Sequence, residues 1–333
     1  MQLKHFLNKL EKMYPVELQE KWDNCGFLVG RLENEVKKVL TTLDVTHEVI
    51  EYSIANNVNL IVSHHPIILD GMKSITSKTM HGDKVLKLIE NKIAVISMHT
   101  NIDKHPEGLN DFLIQKLSGT KGKFLNSDRS SDVKLIINEK KLETKLENLL
   151  IKMKKSDEIY DYGIENQKLT VTLRSKDLKK SINMIQYLKE DEIQFEAFPY
   201  ALGKEIGGLG NYFTIEKPLP LREYIEYVKK ALDISILSVV AEDLDKIIKK
   251  VAIVSGSGGS LIKESYKKEI DLYISGDINY HVAQSAKDYG LAIVDIGHFE
   301  SEVIFCELMA HKISTFFEGK VIQFGGKNPF LRM

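Results

Sequence analysis

An α/β fold interrupted by a small α+β domain is what this sequence predicts, and three observations carry that reading. Short apolar runs rich in Val and Ile alternate with helical spacing towards both ends of the chain. The stretch 132–202 turns Lys/Glu-rich and has its own strand–helix alternation. A length of 333 residues suggests about two domains at ~150 residues each. Strands that are apolar throughout and separated by helices imply a sheet covered on both faces.

The elements follow in order. Residues 38–44 (KVLTTLD) read as a strand and 46–56 as the helix after it. Residues 58–63 and 93–99 read as two further apolar strands, with a helix over 81–91 between them and another over 107–117. Late strands are expected at 251–255, 271–275 and 291–295, with a closing helix over 301–317. The middle reads strand (133–139), helix (141–154), strand (169–175), helix (178–189), strand (193–198), which resembles a ferredoxin-like module. The glycine-rich 203–210 (GKEIGGLG) would be a flexible re-entry. The expected boundaries are 1–130 for the first core lobe, 131–204 for the insertion and 205–333 for the second lobe.

Composition narrows the function. Lys plus Arg is 46 and Asp plus Glu is 47, a net charge of -1, which argues against nucleic acid as a partner. No apolar run approaches the ~20 residues of a membrane span, and the charged first residues do not read as a signal peptide. Cys25 and Cys306 make no disulfide framework and read as reduced thiols of a cytoplasmic protein.

Polar residues sit where the strands are expected to end: Ser63-His64-His65-Pro66, His99-Thr100-Asn101-Ile102-Asp103, Ser275-Gly276-Asp277 and Asp295-Ile296-Gly297-His298. In open α/β sheets ligands bind outside the carboxyl ends of strands, so these groups are placed to converge. An adjacent His64-His65 pair alone would fit one buried and one surface histidine. Asp103 and His298-x-x-x-Glu302 change the balance, because His298 and Glu302 would lie one helical turn apart. Histidine and carboxylate donors suit Zn, Mn, Fe, Co or Ni. Two adjacent histidines are more easily shared between two ions than bound to one, and Glu302 or Asp103 can bridge them, which is the logic of a two-metal centre. His99, Asp277 and His281 are the candidates for a catalytic role beside it. Gly256-Ser257-Gly258-Gly259-Ser260 is either an anion-binding helix start or a tight turn, and it matches neither a dinucleotide fingerprint nor a Walker loop, so no cofactor-binding motif is assigned. The single tryptophan, Trp22, reads as a packing residue.

Together with Trp22-Asp23-Asn24-Cys25-Gly26, these blocks resemble the Nif-three-like (DUF34) dinuclear-metal family, whose members carry the name GTP cyclohydrolase 1 type 2 homologue. The resemblance covers about residues 1–130 and 207–333. It implies two similar α/β lobes, two divalent ions per subunit held by His64, His65, Asp103, His298 and Glu302, and a homohexameric ring with the sites facing inward. Two functions are then open. One is a metal-dependent hydrolase acting on a nucleotide such as GTP, or on a phosphoester. The other is a non-catalytic metal-binding or regulatory assembly.

Overall fold

The computed structural model describes residues 1–118, 120–138, 143–156, 158–189, 194–200 and 203–331. The strands in chain order are β1 (Gly26–Val29), β2 (Lys38–Thr42), β3 (Leu60–Ser63), β4 (Ala94–Ser97), β5 (Lys123–Arg129), β6 (Asp132–Ile137), β7 (Asp161–Glu165), β8 (Lys168–Arg174), β9 (Phe195–Pro199), β10 (Glu205–Pro220), β11 (Ser238–Val240), β12 (Ile247–Ser257), β13 (Leu272–Gly276), β14 (Ala292–Asp295) and β15 (Lys320–Phe324). Two compact units result: Met1–Asn126 with Gly207–Met333, and Ser127–Ile206.

The larger unit holds two mixed sheets. One has the order β1-β4-β3-β2-β15 and the other β11-β14-β13-β12-β10-β5. Strands β15, β2, β3 and β4 pair in parallel, as do β12, β13 and β14, while β1, β10 and β11 pair antiparallel to their neighbours. Parallel neighbours require crossovers, and helices such as His47–Ala55 and Met80–Glu90 supply them. Thr46 and Thr79 start those helices by accepting hydrogen bonds from Val49 and Gly82. The apolar runs are explained by burial on both faces. In the first sheet Val39, Leu60, Val62 and Ile96 face one core layer, and Leu40, Ile61 and Val95 face another. In the second, Val251, Ile253, Leu272 and Ile274 face one layer, and Ala252, Val254 and Tyr273 the other.

The smaller unit runs β6, helix Thr144–Lys155, β7, β8, helix Leu178–Lys189, β9, with the sheet order β7-β8-β6-β9, antiparallel throughout. Leu135, Ile137, Leu169, Val171 and Leu173 pack on Leu146, Leu150, Met153 and Ile185 of the helices. The alternation expected from sequence lacked β7. That strand is short and mostly exposed, and its hairpin to β8 turns through Asn166 and Gln167 at positive φ (48° and 60°), a turn without glycine to announce it. The expected helix start at Lys141 and strand start at Ile193 lie outside the described residues.

Two further readings are corrected. Residues 203–210 are no flexible re-entry: β10 begins at Glu205 and runs for 16 residues, with Gly207 close against the Lys104 carbonyl. The closing helix is two pieces, His298–Glu302 and Phe305–Ser314, separated at Val303–Ile304. Among the described residues no helix is long and apolar enough to cross a membrane.

Candidate metal centre

The carboxyl ends of strands from both sheets of the larger unit meet at one place. His64 and His65 follow β3, His99 and Asp103 follow β4, Asp277 follows β13, and His298 with Glu302 follows β14. Glu302 is the hub. Its carboxylate lies 3.6 Å from His64 Nε2, 3.0 Å from His65 Nε2 and 2.9 Å from His298 Nε2, and its side chain is 5% exposed. Asp103 Oδ1 stands 3.8 Å from His64 Nε2 and accepts from the Ser255 hydroxyl at 3.3 Å. All five residues that the sequence nominated as ligands are thus brought together.

Local backbone explains how Glu302 gets there. The short helix His298–Glu302 sets His298 and Glu302 one turn apart on one face. Gly256, at the end of β12, has φ +62°, and a Cβ there would fall on Glu302 Oε1. Only glycine permits both that conformation and that approach. The Gly256 amide donates to the Ser301 hydroxyl (2.9 Å) and the Gly258 amide to the Ser275 hydroxyl (3.0 Å). Those two amides of the glycine-rich loop are therefore committed within the fold, and the helix after it, Ile262–Lys267, has six residues. The loop's role is close packing against the carboxylate.

Each imidazole is anchored through Nδ1, which turns Nε2 towards the hub. His64 Nδ1 meets the Met98 carbonyl at 2.8 Å. His65 Nδ1 meets Asp44 at 2.8 Å, and His298 Nδ1 meets Asp277 at 2.8 Å. These partners can only accept, or accept as carboxylates, so Nδ1 carries the proton and the Nε2 lone pair of a neutral ring is free for a ligand role. His99 repeats the pattern, with Nδ1 2.9 Å from Asp23. Its ring packs edge-on to His64 and His65 at centroid distances of 5.1 and 5.5 Å. Asp23 is fully buried and also accepts from the Thr100 amide (3.0 Å), the Thr100 hydroxyl and the Cys25 thiol (3.1 Å).

The buried carboxylates and imidazoles of the cluster shift one another's pKa values. Burial would raise the Glu302 carboxyl, but the charge of His64 and the hydrogen bonds from His298 and His65 outweigh it and hold it well below the usual carboxylate value. Burial opposes the charge on His65, yet Asp44 and Glu302 lift its pKa to about 10. The Glu302 hydrogen bond leads in raising His298 to about 9. His64 is raised too, with Asp103 and Glu302 overcoming complete burial. An ion entering here would take over the role of these protons.

The donor set fits a divalent metal. His64 Nε2 is buried and has no hydrogen-bond partner among the described residues, an orphan that a metal would satisfy. The groups His65, His298, Glu302 and His64, His65, His99 each bring their donor atoms within 4.8 Å of one another. Separations of 2.9–3.6 Å around Glu302 are close to the roughly 3.4 Å edge of a tetrahedron with bonds of about 2.1 Å.

Other expected residues fall further out. Asp277 is exposed at φ +53° and serves His298. His281 is exposed on the helix Tyr280–Asp288, its ring 5.6 Å from Tyr280, and does not line the cavity beside the cluster. Trp22 is no packing residue: it is 60% exposed and borders that cavity. Sequence reasoning missed Asp44 and gave Asp23 no role of its own. Asp44 ends the expected strand 38–44, and its place beside the polar ends of neighbouring strands was the available signal.

Comparison with known proteins gives the family of the chain. The Duf34/NIF3 (NGG1p interacting factor 3) family profile matches residues 1–328. A Clostridium acetobutylicum protein named GTP cyclohydrolase 1 type 2 homolog is 28% identical over 331 residues, covering 99% of this chain and 95% of its own. The Clostridium perfringens protein of the same name is 31% identical over 302 residues, covering 91% of this chain and 87% of its own. Among solved structures, a Staphylococcus aureus protein superposes with a TM-score of 0.85 at 25% identity, covering 100% of this chain and 99% of its own. With five converging histidine and carboxylate side chains on that shared fold, the chain belongs to the DUF34/NIF3 family.

Proposed function

We propose that the cluster is a dinuclear divalent-metal centre of a hydrolase, with His64, His65, Asp103, His298 and Glu302 as its ligands. The observation that carries this reading is the common orientation of three imidazoles: Nδ1 anchored, Nε2 turned to one buried carboxylate. Glu302, in reach of all three, would hold the metal together with His64, His65, Asp103 and His298. Divalent ions held there would supply Lewis acidity for hydrolysis.

The chain's own residues do the rest. Asp44 and Asp277 fix the ring orientation of His65 and His298, and the Met98 carbonyl fixes His64. The Asp23–His99 pair stands beside the ligand rings and is placed to hold a proton at the cavity wall. The name of the clostridial relatives supports a nucleotide as substrate. The smaller unit's order β7-β8-β6-β9 supports reading it as a ferredoxin-like insertion, and the two sheets with parallel inner strands support two similar lobes. The assembly we propose is a homohexamer.

The test is turnover. Protein purified without added metal, then reloaded with Zn, Mn, Fe, Co or Ni, is expected to hydrolyse a member of a nucleotide and phosphoester panel that includes GTP. His64→Ala should abolish that turnover. Tight metal binding with no turnover across the panel would instead support the non-catalytic assembly.

A further inference from the structure

The cavity against the cluster, about 540 Å³, is bordered by Asp103, His298 and Glu302 on one side and by Trp22 and His99 on another. That volume falls within the range of small-molecule sites. Trp22 is the chain's single tryptophan and leaves 60% of its surface exposed in this position. An indole is a large apolar group, and exposing it beside a polar cleft has a use when a ligand covers it. Its backbone is not loose. The Asp23 side chain is tied to His99 and Thr100, Asn24 Nδ2 donates to the Ile68 carbonyl (2.6 Å), and the Cys25 amide donates to Gln19 Oε1 (2.7 Å). The indole also rests on His99, with centroids 5.7 Å apart and planes 75° apart. Asn126, Ser257 and Ser260 border the same cavity and offer amide and hydroxyl groups to the edge of a ring.

We infer that Trp22 is a substrate-binding platform, and that the centre acts on a planar heteroaromatic ligand stacked on the indole. The inference rests on the cavity beside the proposed metal centre being the substrate site. A non-planar phosphoester would leave the indole uncovered. His99, whose ring touches both the indole and the rings of His64 and His65, fixes the platform relative to the cluster.

The single tryptophan makes the test direct. Metal-loaded protein is titrated with guanosine, adenosine and cytidine, and separately with ribose 5-phosphate, while indole fluorescence is followed. At least one nucleoside should quench the signal saturably, and ribose 5-phosphate should not. By equilibrium dialysis, Trp22→Phe should bind that nucleoside within about threefold of the parent, and Trp22→Ala should bind it at least about fivefold more weakly. Stacking on one aromatic ring supplies roughly five- to 150-fold. Metal content should be unchanged in both variants. If metal is bound but no nucleoside quenches, or Trp22→Ala binds as the parent does, this inference is overturned and the metal reading stands. If Trp22→Ala leaves nucleoside binding intact but lowers the mass seen by light scattering, Trp22 is a subunit contact and the inference is likewise overturned. If the protein holds no metal, the metal reading itself fails.

Discussion

At the scale of single residues, the chemistry depends on groups that hold other groups. His65 is useful because Asp44 fixes its Nδ1, and His298 because Asp277 does the same. Asp44→Asn should therefore weaken metal binding about 10–100-fold, the usual cost of losing such a partner. Glu302→Gln should weaken it further, since an amide keeps the size but loses the charge that three imidazoles face. His281→Ala should leave affinity unchanged, its ring being exposed against Tyr280. Competition with a chromophoric chelator ranks the three, and parent-like affinity in Glu302→Gln would remove it from the ligand set. The thiols make a second residue-scale prediction. Burial leads in pushing the pKa of Cys25 and Cys306 up to about 12. Native protein at pH 8 should then leave both unreacted with a disulfide reagent, and both should react once unfolded. The sign for stability follows: the contribution is complete below about pH 9, where the unfolded thiol begins to ionise, and is lost as pH rises towards 12. His64, His65, Asp103, His298 and Glu302 were legible as residue types at strand ends. Asp44 was not, because one aspartate after a strand carries no motif and only pairing of β2 with β3 sets it beside His65.

At the scale of elements, continuous apolar strands were legible and interrupted or edge elements were not. β3, β4 and β13 are buried throughout, so each reads as an unbroken apolar run. β7 has one face open and a polar hairpin, and β10 carries glycines that imitate a linker. The helix break at Val303–Ile304 has no proline or glycine to mark it, yet it lets Glu302 end a short helix at the cluster. The smaller unit enters and leaves by neighbouring chain segments, with the Ser130 amide donating to the Lys204 carbonyl at 2.8 Å. Replacing residues 132–202 with a short Gly/Ser link should leave the larger unit folded and its metal affinity within about threefold of the parent. Loss of metal from a soluble deletion protein would place part of the site in the smaller unit.

At the scale of the whole molecule, two sheets present strand ends to one buried carboxylate. The proposed homohexamer should give a mass near six subunits by light scattering. What the sequence could not carry was distance: nothing in it states that β3 and β14, in different sheets, end within reach of Glu302. If His64, His65, Asp103, His298 and Glu302 hold two divalent ions in each subunit, elemental analysis after metal loading and exhaustive buffer exchange should give two ions per subunit; a value well under one would rule the dinuclear centre out.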